Sequence, residues 1–334
     1  MFRQKTVADK VRENLLGIIV LLILALLPMR ANDFLLDTLV RTYIFVILAV
    51  TLDFFSGTTG YLNLGHSFIF GLSAYLTGIL YVYLKIPTEI AILGAGLLGT
   101  FGSLALLLPS LRVRGVYFAI LSLLYPIIFI GIVTTQPFSL YLGGEGGLRI
   151  KQLFLDIARK LPPTERLAFL HNAYYYLSFI LMVASFIVLY KLAYNEFGFK
   201  LRSIGQDEEL SEAAGVNTTN MKIKGFLLSA VFASYAGALY AGMRPPITVD
   251  FVNTGSILLP TLTAMIVGGA GTIIGPAIAA FLLTLLYQYL WGLVGLWRTV
   301  AYMIILLAFV LIRPQGIFFD IYLRIRRLVD KVIG

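Results

Sequence analysis

Long apolar runs, nearly free of charge, recur along this chain and leave few folds open to it. They lie near Leu15–Met29, Leu39–Phe54, Ser67–Tyr83, Ile90–Leu108, Gly115–Val133, Ala173–Leu192, Gly225–Met243, Ser256–Val267, Ile273–Leu290 and Val300–Ile312. A helix needs about 20 mostly apolar residues to cross the hydrocarbon core of a bilayer. Only helices and closed barrels can cross, because an unsatisfied backbone group is costly in lipid. Barrel strands would give short alternating segments, and these runs do not alternate. The runs therefore predict an all-α polytopic membrane protein with about ten transmembrane helices. The eighth run is short, so eight or nine full crossings plus re-entrant pieces is the other count they allow. Composition agrees: 59% of residues are hydrophobic and 13% charged, against roughly 45–50% and about 25% in soluble domains. A soluble chain this apolar would expose large patches and aggregate.

The net charge is +9. A basic chain suggests either nucleic acid or an excess of Lys and Arg on cytoplasmic loops. No soluble domain carries a basic patch here, so lipid is the expected partner and nucleic acid is not. With the N-terminus inside, alternation puts Arg3, Lys5, Lys10, Arg12, Arg112 and Arg114 on the cytoplasmic side. The same side receives Lys191, Lys200, Arg202, Lys222, Lys224 and the tail residues Arg313, Arg324, Arg326, Arg327 and Lys331. The expected organisation is one transmembrane domain over 1–334. It has an extracytoplasmic loop at 134–173, a cytoplasmic loop at 194–224 and a basic cytoplasmic tail at 313–334. Both termini are cytoplasmic, and the location is the cell (inner) membrane. The first run ends Ala25-Leu26-Leu27-Pro28-Met29-Arg30, a poor cleavage site, so it reads as an uncleaved span. The chain has no cysteine and only two histidines, His66 and His171. Thiolate metal sites are thereby excluded and two histidines speak against a histidine-based one, so neither a metal nor a cofactor is expected. Tyr174, Tyr175, Tyr176, Trp291 and Trp297 read as interfacial anchors.

Four places break the apolar pattern. The first runs from Asp53 through Gly57 and Gly60 to Asn63-Leu64-Gly65-His66-Ser67. Irregular backbone at membrane depth is tolerated only where protein or a water-filled cavity surrounds it, and broken helices often mark transport sites. Asn63, Gly65, His66 and Ser67 are accordingly candidates for a translocation pathway. The alternative is an ordinary turn with Gly65 allowing close packing. The second break, Gly268-Gly269-Ala270-Gly271-Thr272-Ile273-Ile274-Gly275-Pro276, reads either as a gate near that pathway, with Gly268, Gly269 and Gly271 as candidates, or as a tight turn between packed helices. The third, Leu142-Gly143-Gly144-Glu145-Gly146-Gly147, makes Gly143, Gly144 and Glu145 candidates for an outer contact, or a plain surface loop. The fourth lies in loop 194–224. Asp207–Ala214 favours a helix with acids toward its N-terminus and Gly215 as its cap. It is either a knob that docks into a soluble partner or a solvated connector.

No Gly-x-x-x-x-Gly-Lys-Ser/Thr loop occurs, so the chain carries no P-loop of its own. Nor is there a nucleophile elbow or a His-Glu-x-x-His pair, and no line of intramembrane acids and histidines suggests a proton relay.

Taken together, the breaks carry a family resemblance. Leu62-Asn63-Leu64-Gly65-His66-Ser67-Phe68 and Arg114-Gly115-Val116-Tyr117-Phe118-Ala119-Ile120 resemble two stretches of branched-chain amino-acid ABC permeases of the LivM type. Leu142-Gly143-Gly144-Glu145-Gly146-Gly147-Leu148 is similar to that family's outer loop, with Leu142 replacing its usual Thr. Glu212-Ala213-Ala214-Gly215-Val216-Asn217 with Lys222 resembles its coupling loop, although Gln206 stands where charged residues are common. Gly268–Pro276 resembles its glycine-rich segment. The resemblance implies a type II-like ABC importer permease fold that translocates branched-chain or other hydrophobic amino acids by alternating access. It implies as partners a second related permease subunit, two ATP-binding subunits and an extracytoplasmic substrate-binding protein. ATP hydrolysis belongs to those partners, so the chain itself is no enzyme. Contact with the ATPase falls on Asp207, Glu208, Glu212, Ala213, Ala214 and Gly215. Two alternatives stay open: a permease for urea, short amides or a sugar, and a self-contained channel or secondary transporter.

Overall fold

The computed structural model describes residues 19 and 21–312 except 112 and 114. The start of the first expected span, Arg112, Arg114 and the basic tail 313–334 fall outside the described residues. Residues 21–26 are helical and lead through a 3-10 turn, Leu27–Met29, to helix α1, Asp33–Leu52. The Asn32 side chain caps α1 by accepting from Leu35 N at 2.9 Å. The helix widens into a π-helical turn over Asp53–Gly57.

Beyond Arg41 helix α1 is free of charge on every face; such a stretch has to be surrounded, and this one is buried. In the stretch Asp33–Gly57, 83% of the most apolar window is buried. α1 packs against α8 (Pro163–Ala193), α11 (Thr218–Met243), α12 (Leu259–Gly268) and α13 (Ile274–Val294). Tyr43 and Tyr175 join α1 to α8 through their hydroxyls at 2.8 Å. Helices α2 (His66–Val82) and α3 (Thr88–Gly102) pack on each other and on α11. A Cβ on Gly237 of α11 would overlap the carbonyl oxygen of Phe70. The α2 and α11 backbones thus touch, as small residues permit where no water drives association.

The expected span Ile90–Leu108 bends at Ser103, which separates α3 from α4 (Leu104–Ser110). Helix α5 (Val116–Thr134) is strongly apolar yet leaves most of its apolar stretch uncovered, and so does α8. Those faces need lipid or another chain. Between α5 and α8 run two short helices, α6 (Phe138–Leu142) and α7 (Leu155–Arg159). This connection is strapped to the far end of α11 by a paired Leu148–Ile247 bridge, 2.9 Å each way, and by Leu153 N donating to Gly242 O at 2.8 Å.

The loop 194–224 holds two helices where the sequence suggests one. α9 (Glu196–Gln206) is capped by Asn195 and buries Leu201 and Ile204. α10 (Glu208–Ala213) is capped by Asp207, whose carboxylate accepts from Leu210 N at 2.9 Å. Gly215 ends it at φ +87°. A second π-helical turn, Thr254–Leu258, opens the short eighth run before α12. Helix α14 (Arg298–Ile312) closes the described chain. Among the described residues five helical stretches are long and apolar enough to cross a membrane, and three shorter apolar helices accompany them.

Candidate functional site

The knob α10 is two-faced. Leu210 points away, 68% exposed, with Ala213, Ala214 and Gly215 exposed beside it. Glu208 points inward. Its carboxylate accepts from Lys222 Nζ of α11 at 2.7 Å, from Thr218 Oγ1 at 3.2 Å and from the Tyr61 hydroxyl. The Lys222 and Glu208 side chains are only 4% and 11% exposed, and the ammonium lies 4.7 Å from the centre of the Tyr61 ring. Glu212 also accepts from Thr218. Removing one member of such a buried pair strands the other charge, so α10 is fixed to α11 and to Tyr61, a residue of the first break.

A second tie runs through α9. A Cβ on Gly205 would stand 2.7 Å from Thr58 O, so α9 rests directly on the backbone of the first break. Only glycine fits there.

The first break is tied to the second in turn. Asp53, fully buried, accepts from Gly271 N at 2.6 Å and from Ile273 N at 2.8 Å. The turn it grips is contorted. Gly269 and Gly271 have φ of +98° and +81°, and the β-branched Ile273 has φ +61°, a conformation that costs such a side chain energy. Arg202 of α9 donates to Gly271 O at 3.3 Å and to Ala193 O at 2.8 Å, with its guanidinium 4.8 Å from the Tyr194 ring centre. Tyr194 OH donates to Thr272 O at 3.0 Å. Side chains from three elements thus converge on residues 269–273. Gly268 meets Gly275 and Pro276 backbone to backbone.

The candidate pathway residues of the first break are buried and mostly engaged. Asn63 Oδ1 accepts from Gly65 N at 3.0 Å, and Asn63 N donates to Ser56 Oγ at 3.0 Å. Leu64 N donates to Ser122 Oγ of α5 at 2.9 Å. His66 Nε2 and Thr51 Oγ1 are 3.0 Å apart. Ser67 Oγ is buried with no hydrogen-bond partner among the described residues. Gly143 and Gly144 (φ +82° and +54°) and the exposed Glu145 lie at the opposite end of α11 from the knob, beside the Leu148–Ile247 bridge. Sequence reasoning passed over Asp53, Tyr61, Arg202 and Tyr194. Only Asp53 carries a local signal, an acid closing an apolar run beside a glycine. Among the described residues no group of three or more His, Asp or Glu is arranged to hold a metal ion.

The helical core thus has its two chain breaks joined to each other and to the exposed helix α10, and the class of protein it belongs to, a transport permease, is given by its family. The fold is shared with a solved chain from an inward-facing ABC transporter described as being of metal-chelate type: TM-score 0.52 at 15% identity, covering 90% of this chain and 99% of the other. Residues 34–312 match the family described as branched-chain amino acid transport system, permease component, and the chain belongs to that family. It is 27% identical over 297 residues to the high-affinity branched-chain amino acid transport system permease protein LivM of Salmonella typhimurium, covering 82% of this chain and 67% of that one. To LivM of Escherichia coli it is 27% identical over 293 residues, 80% of this chain and 66% of the relative. The chain thus spans about two thirds of the length of these relatives.

Proposed function

We propose that this chain is one of two paired permease subunits that import branched-chain or other hydrophobic amino acids, driven by two ATP-binding subunits seated on α9 and α10. On this reading the α10 end and both termini face the cytoplasm. The 134–173 loop faces outward, where a binding protein delivers its cargo near Gly143, Gly144 and Glu145. The observation that carries the reading is the two-faced knob. Its outer side presents Leu210 and, on α9, Phe199 (60% exposed) beside a cavity of about 510 Å3 between the two helices. Its inner side is clamped through Glu208.

The mechanism follows from those contacts. A tilt imposed on α10 reaches α11 through Lys222 and the first break through Tyr61 and the Gly205–Thr58 contact. Asp53 carries it on to the turn at 269–273. Short buried contacts transmit displacement with little slack. The pathway then opens and closes where the two breaks meet, around Asn63, Gly65, His66, Ser67, Gly268, Gly269 and Gly271. The sequence holds no P-loop, which suits a pathway whose energy arrives from partners.

The test is uptake of labelled leucine into vesicles carrying the complete complex. Glu212→Lys, Gly215→Arg and Leu210→Glu variants of normal abundance should lose at least about tenfold in ATP-dependent uptake, the scale of a 1–3 kcal/mol coupling. Wild-type rates in all three would refute the coupling assignment. ATP-independent flux through the purified chain alone would favour a self-contained channel, and uptake of urea in place of leucine would overturn the substrate.

A further inference from the structure

We infer that the chain carries a carboxylate-binding subsite at Arg41, inside the membrane and away from the coupling junction. Arg41 is the ninth residue of α1, roughly 12 Å along the helix from its Asp33 end at 1.5 Å per residue. It stands two residues into the apolar run Leu39–Phe54, where an unpaired charge is costly. Its natural partners are absent. Asp37, one turn earlier, is paired with Arg244, and Asp33 is paired with His171 at 3.1 Å. Among the described residues no carboxylate lies within ion-pair distance of Arg41. The Phe45 ring centre lies 5.9 Å from the guanidinium carbon, too distant and weak to replace a counter-ion.

What Arg41 does have is space. It lines a cavity of about 100 Å3 between α1, the Thr254–Leu258 turn, α13 and α14, together with Phe45, Ser256, Thr284, Tyr287 and Tyr302. The Tyr287 and Tyr302 rings meet edge to face at 5.1 Å and form an aromatic wall. A guanidinium in a small recess, with hydroxyl-bearing side chains and aromatic faces around it, matches a carboxylate attached to a short apolar body. The fork of a guanidinium donates two parallel bonds to a carboxylate, and the recess, smaller than the roughly 150 Å3 known to hold a benzene-sized guest, has room for the carboxylate end of a solute. The assignment rests on the proposed role in moving amino acids: the subsite would hold the carboxylate of a solute in transit, with its apolar side chain toward the tyrosines.

The chain has no cysteine, so Ser256→Cys or Thr284→Cys gives it a single thiol in this recess. Each variant is assembled in the full complex, checked for leucine uptake and labelled with methanethiosulfonates of equal size and opposite charge. Label is read on this chain by mass. The anionic reagent should react about tenfold faster than the cationic one, the concentrating effect of a local field, and Arg41→Gln should abolish that preference. Isovalerate and leucine should slow labelling, while leucinamide, which lacks the carboxylate, should not. Equal rates for both reagents, no reaction with either, or no protection by any carboxylate would overturn the subsite. The last of these is what an arginine reaching only to lipid phosphate would give. If isovalerate protects but leucine neither protects nor is transported, the subsite stands and the amino-acid reading fails. If leucine is transported and Arg41→Gln changes none of these rates, the subsite alone falls.

Discussion

Two buried carboxylates, Glu208 and Asp53, do different work. Glu208 faces a full opposite charge, so its loss strands Lys222. Glu208→Gln should cost about 3–5 kcal/mol, whereas Glu208→Gln combined with Lys222→Met should recover most of that, because an apolar pair often replaces a buried ion pair without penalty. Thermal unfolding of the two singles and the double in detergent measures it, and additive losses would contradict the pairing. Asp53 instead accepts from two backbone N–H groups. In Asp53→Asn one of the two acceptors becomes a donor, leaving an N–H buried without a partner at a cost of about 1–3 kcal/mol. Ile273→Gly would relieve a β-branched residue at φ +61°, worth about 1–3 kcal/mol, but it would also empty a fully buried site at about 2–5 kcal/mol. The double variant should therefore melt lower than Asp53→Asn alone, and a higher melting point would mean that the strain at Ile273 outweighs its packing.

At the level of helices, the decisive surface is the contact of α9 with the first break. Gly205→Val should push α9 off Thr58 while leaving the outer side of α10 intact. The expected result is continued ATP hydrolysis by the assembled complex with reduced uptake, read as molecules moved per ATP. An unchanged ratio would mean that α9 is a bystander. Helix α9 is also where the sequence was hardest to read. Gly198 and Gly205 dilute its helix propensity, and its cap, Asn195, is a single residue. The long spans were legible because an apolar run of that length has few other uses. Both breaks were legible as departures from pattern. Their union was not, since Asp53 meets Gly271 across 218 residues and no local periodicity encodes such a contact. The candidates on α10 were visible as a capped acidic helix, but which acid turns inward depends on where Lys222 and Tyr61 stand in space.

For the molecule as a whole, orientation is the property on which the proposed function leans most. Glu145 and Leu210 are both exposed and sit at opposite ends of α11. In the cysteine-free chain, Glu145→Cys should react with an impermeant thiol reagent added to intact cells. Leu210→Cys should react only after the membrane is opened. The reverse pattern would invert the topology and remove the ATPase from α10. On the proposed reading, the uncovered apolar faces of α5 and α8 are left for lipid and for a second permease subunit.

The reach from Asp53 to Ile273 also bears on how the protein is made. A ribosome adding about 5–20 residues each second needs roughly 10–45 s to travel that interval. Throughout it, a carboxylate destined for the interior has none of its final donors. Until the glycine-rich turn is synthesised that acid cannot reach its final state, so a chain truncated ahead of Gly271 is born with its keystone missing.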